Sequence, residues 1–82
     1  SLAKNLLSLI EEDIAYTKTV LKDEEDEYFI QQVRKTLEKQ EAIQLHVKKF
    51  IGLKAKEKEQ SVDDIDRMIR ELKRISMRPK SR

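Results

Sequence analysis

Across 82 residues there is one glycine, Gly52, and one proline, Pro79. A chain so poor in turn-formers does not build β-hairpins, and its abundant Ala, Glu, Lys, Leu, Gln and Arg favour helix nearly throughout. The fold class is therefore all-α. The question is where the helix breaks, because one long helix needs a partner chain to cover it, whereas several short ones can cover each other.

Residues sharing a helical face recur at three- and four-residue steps. The first segment carries two such series side by side: Ala3, Leu7, Ile10, Ile14, Thr17, Leu21, and Leu2, Leu6, Leu9, Asp13, Tyr16, Val20. A stripe that wide is suited to touching two neighbours rather than the single seam of a dimeric coiled coil. The next stripe runs Phe29, Ile30, Val33, Leu37, Gln40, Ile43, Gln44, Val47, Ile51. Ile30 lies nine residues beyond Leu21, about 180° away on a continuous helix, so one core cannot receive both stripes unless the chain turns within residues 22–27. Asp23 is the expected N-cap, with an acidic first turn that complements the helix dipole.

The second break is expected at Gly52. Lys48 and Lys49 suit a helix C-terminus, Gly52 suits the left-handed position that follows, and Leu53 supplies the closing apolar contact. Downstream, Ser61 reads as an N-cap followed by Asp63 and Asp64. Val62, Ile65, Met68, Ile69, Leu72 and Ile75 form the third stripe, Asp63 with Arg67 and Asp66 with Arg70 make i,i+4 pairs, and Pro79 stops the helix. The sequence thus predicts helices over 2–22, 24–51 and 62–77, packed as an antiparallel three-helix bundle in a single domain spanning 1–78, with a basic tail at 79–82. The alternative is a helical hairpin whose second arm continues through Gly52, about 80 Å long, and pairs as a coiled-coil dimer. The starting Ser1 and the "RPKSR" end suggest a piece cut from a longer protein.

Chemistry-bearing motifs are few. The chain lacks cysteine and has one histidine, His46, so thiolate and paired-His metal sites are not encoded, and "DEEDE" lacks the glycine and spaced oxygens of a calcium loop. His46 reads as a half-exposed helix residue without an orienting carboxylate, and one glycine cannot form a phosphate-cradling loop. We expect no enzyme, no metal and no cofactor. No apolar run approaches the roughly 18 residues of a spanning helix and the first residues given lack the basic-then-apolar pattern of a signal peptide, so an intracellular setting, cytoplasmic or nuclear, is the default expectation.

Binding is the remaining class. On the second helix Leu45 projects away from its stripe, flanked by Ala42, Phe50 and Leu53, which either a third helix or a partner must cover. The candidate partner-binding residues are Leu45, Lys49, Phe50 and Leu53, the apolar three as anchors and the lysine steering an acidic or helical protein. An adaptor or scaffold role follows, with self-association as a coiled-coil element the runner-up. A third reading uses the basic end "KRISMRPKSR", where Lys73, Arg74, Arg78, Lys80 and Arg82 would hold phosphates of nucleic acid or of an anionic lipid surface. The same segment makes Ser76 a candidate site for a kinase that selects basic sequences, and a phosphate there would disfavour the helix end. Gln40 and Gln44 interrupt the second stripe and are expected at a solvated edge, the alternative being a buried polar layer.

Overall fold

The structure is a computed structural model that describes residues 2–79. It contains three helices, α1 (Leu2–Asp23), α2 (Glu27–Gly52) and α3 (Ala55–Ile75). They pack as a three-helix bundle, elongated at 47 × 27 × 17 Å.

The first link is residues 24–26, inside the segment where the two stripes fall out of phase. Its cap differs from expectation, because Asp23 completes α1 and Asp26 is the N-cap of α2. Asp26 has the extended backbone (φ −72°, ψ 116°) that an N-cap needs, and its Oδ1 accepts the Phe29 N–H at 3.1 Å. Glu24 ties the link together by accepting the N–H groups of Glu25 and Asp26 on Oε1, at 3.2 and 3.0 Å. Of several acids in a row, only the one with the right backbone and spacing can cap.

The second link corrects the sequence reading more strongly. Helix α2 does end at Gly52, but no described residue has a left-handed backbone, so glycine's special freedom is not used. The chain leaves through Leu53 in an extended conformation (φ −76°, ψ 151°), whose N–H donates to the Phe50 carbonyl at 3.1 Å. After Lys54 the next helix begins at Ala55, seven residues earlier than the sequence predicted. Glu57 caps it, accepting the Lys54 N–H on Oε2 at 3.2 Å. Ser61 is not an N-cap but sits within α3, its hydroxyl donating to the Glu57 carbonyl at 3.2 Å. The segment "AKEKEQ" has no apolar stripe to announce a helix, yet its residues are strong helix formers that need only a cap. The uninterrupted arm of the coiled-coil alternative does not form. At the far end α3 stops at Ile75, with Ser76 as C-cap, two residues short of the expected limit.

Ile10, Ile14, Ile43, Val47 and Leu72 form the buried apolar core, with Leu6, Leu7, Leu37, Ile51, Ile65, Met68 and Ile75 partly buried around it. Helix α1 packs extensively on α2, while α3 lies against α2 and approaches α1 only lightly. Gln40 is a correction too, since it is fully buried rather than at a solvated edge, and Gln44 is half-buried. Neither amide atom of Gln40, nor the hydroxyl of buried Thr17, has a protein hydrogen-bond partner. Among the ion pairs, Arg67 reaches back to Asp64 at 3.4 Å rather than to Asp63.

Candidate functional site

Where the start of α1, the end of α2 and the middle of α3 meet, the helices leave an open groove of about 400 Å³. Leu6 and Leu9 from α1, Val47 and Phe50 from α2, and Ile65 and Ile69 from α3 make its apolar walls. Asn5 and Asp66 are its polar groups. The groove exists because α3 covers α2 without closing fully onto α1. It fits an apolar side chain or two, and Leu2 and Leu9 extend its apolar surface outward, 88% and 49% exposed.

Of the four expected partner-binding residues, only Phe50 lines the groove. Phe50 is half-buried in the groove wall, and Leu53 is half-buried just beyond the end of α2, joined to Phe50 through the backbone hydrogen bond above. Lys49 is exposed next to Phe50 in sequence, and Leu45, 55% exposed, is not part of the groove. The third helix does not cover Leu45. Sequence reasoning missed the α1 and α3 walls, although the second series on α1, beginning Leu2, Leu6, Leu9, was their signal.

The basic end is differently engaged than expected. Lys73 is exposed, but the Arg74 guanidinium holds Glu71, with Nε donating to Oε2 at 3.0 Å and Nη2 donating to Oε1. That hydrogen bond keeps the Glu71 carboxyl below the usual carboxylate range and raises the Arg74 guanidinium above its ordinary value. Arg78 crosses to α1, donating from Nη1 to Glu12 Oε2 at 3.1 Å and from Nε to Asp13 Oδ1 at 2.6 Å. Its hydrogen bond to Glu12, together with the Asp13 charge and hydrogen bond, raises its pKa against the opposing effect of desolvation. Lys80 and Arg82 lie outside the described residues.

Asp13 is the polar residue that sequence reasoning missed. It occupies a position of an apolar α1 series, is 3% exposed, and accepts both Arg78 and the Ser76 hydroxyl, the latter at 3.0 Å. A buried carboxylate needs such partners. Elsewhere, His46 is half-buried on α2, and no cluster of three His, Asp or Glu side chains suited to a metal occurs among the described residues. No helix is long and apolar enough to cross a membrane among the described residues. Comparison with protein-family models, curated proteins and solved structures finds no match for this chain.

Proposed function

We propose that this chain is a non-enzymatic protein-interaction module that receives apolar side chains of a partner helix in the groove between α1, α2 and α3. The observation that carries this reading is the groove itself, walled by Leu, Ile, Val and Phe, with exposed leucines at its mouth. Helix-in-groove recognition needs such a surface, because a partner's apolar face buried there leaves water on both sides. Phe50 is the anchor, Leu53 extends the surface at one end, and Lys49 favours an acidic partner. Leu45 is exposed outside the groove lining. The basic end is a weaker basis for function, because Arg74 and Arg78 already hold carboxylates.

Pull-downs with the native chain, Leu9→Glu and Leu45→Glu test the reading, with folding checked by circular dichroism. A partner lost with Leu9→Glu and kept with Leu45→Glu supports the groove. A partner kept by both folded variants sinks it, and light scattering over a dilution series identifies a second copy as the occupant if the mass doubles in the native chain alone.

A further inference from the structure

We propose that Ser76 is a phosphorylation site and that its modification releases the end of α3 from α1. This inference is independent of the groove.

Ser76 follows Lys73 and Arg74, cations of the kind that a kinase with an acidic substrate groove selects, and it lies just past the last helical residue in an extended conformation (φ −61°, ψ 131°). Residues 76–79 are not helical, so the acceptor stands at the start of a short non-helical run. Its hydroxyl donates to Asp13 Oδ1 at 3.0 Å. The same oxygen accepts Arg78 Nε at 2.6 Å, and Glu12 accepts Arg78 Nη1 at 3.1 Å. The Arg78 N–H also points back to the Ser76 oxygen, at a long 3.4 Å. These donors arrive from 63 and 65 residues away in sequence and satisfy a carboxylate whose side chain is 4% exposed. Since α3 otherwise approaches α1 only lightly, they act as a latch.

Phosphorylation reverses the sign of the Ser76 contact. Transfer from a nucleoside triphosphate forms a bond between Ser76 Oγ and the γ-phosphorus and breaks the bond from that phosphorus to the bridging oxygen. The nucleoside diphosphate leaves, and the hydroxyl proton passes to the base of the kinase. One donor is thereby replaced by acceptor oxygens carrying a charge of about −1.5 to −2, beside a carboxylate whose side chain is buried from bulk solvent. The new charge also sits at the negative pole of α3. Arg78, two residues further on, is within reach of the phosphate and binds it in the forked geometry that guanidinium prefers. Asp13 then loses both partners and does not remain buried, so the latch opens.

Total synthesis of the 82-residue chain with serine or phosphoserine at position 76 tests the consequence by amide hydrogen exchange. We expect exchange across the second half of α3 to accelerate at least about tenfold while the core amides of α1 and α2 change by less than about twofold, as for a local opening. Unchanged α3 protection overturns the proposal, as does an equal loss of protection in all three helices. In the phosphorylated chain, Arg78→Ala should raise the second phosphate pKa measured by ³¹P titration, and an unmoved value overturns the exchange of partners. Incubating the folded native chain with a kinase selective for basic sequences and ATP, then mapping the phosphate by mass spectrometry, tests acceptance. Phosphate at Ser76 supports it, and modification at Ser81 alone or at neither serine overturns it.

Discussion

The α1–α2 interface and the seat of α3 are built on different terms. The first hides Ile10, Thr17, Val33, Gln40 and Val47 almost completely, whereas α3 contributes a single buried residue, Leu72. Yet α3 has the sharpest separation of polar and apolar faces of the three helices. An amphipathic helix is only an offer of burial, and how much is buried depends on the surface it meets. Here α3 meets mostly α2, leaves a groove beside α1, and closes its far end with the Asp13 latch instead of with further apolar contact. Unequal burial implies unequal stability, so α3 should open before the α1–α2 pair does.

The largest test of that contrast is Ile10→Ala, which removes a fully buried α1 side chain from the core cluster it shares with Ile14, Ile43, Val47 and Leu72. A cost of about 4 kcal/mol is expected, read as a lower midpoint in urea unfolding, with all three helices losing protection together. Leu72→Ala should cost less, about 2 to 3 kcal/mol, and hydrogen exchange should place most of the loss in α3. If α1 and α2 were loosened equally, the contrast would fail, because α3 would then be an integral part of one cooperative unit.

Polar burial sharpens the contrast. Asp13 is buried with partners, while Gln40 is buried without one in the protein. Replacing Gln40 by leucine removes an unpaired amide from the α1–α2 side and should stabilise the chain by about 1 kcal/mol, measured as a higher urea midpoint. A loss of stability would mean that the amide is paired in solution. Gly52→Ala is expected to be a smaller gain, about 0.5 kcal/mol, since Gly52 ends α2 without a left-handed backbone and an added Cβ meets nothing within 4 Å.

The smallest effect concerns the exposed Glu71–Arg74 pair on α3. Its folded Glu71 pKa lies below the ordinary 4.5, so its contribution is present above that value and lost as pH falls through the folded pKa. Thermal melts across that acid range should show Glu71→Gln to be slightly less acid-sensitive than the native chain, and identical pH profiles would show the pair to be without effect. Solvent screening keeps the difference small.

How much of this was legible in the sequence depends on distance along the chain. The break between α1 and α2 was readable from two apolar stripes falling out of phase between Leu21 and Ile30, even though no glycine marks it. The break at Gly52 was readable in position but not in mechanism, because an extended Leu53 and a Glu57 cap do the turning. The early start of α3 was hidden by a charge-rich stretch whose helicity leaves no apolar trace. Phe50 was found as a candidate contact, but its groove neighbours on α1 and α3 were not, since periodicity says which residues share a face and not which faces meet. An acid within the series Leu6, Leu9, Asp13, Tyr16 was the visible clue to the latch.

Composition and period alone determined that this chain is helical, that it breaks within residues 22–27, and which residues are apolar enough to need cover. Those properties follow from interactions within a turn or two of helix, which any local stretch reveals. Only the tertiary structure decided that Asp13 and Gln40 are buried, that Leu45 is exposed, and that Arg78 turns inward. Each of these depends on residues from distant parts of the chain arriving at the same place, and helical periodicity carries no information about that meeting.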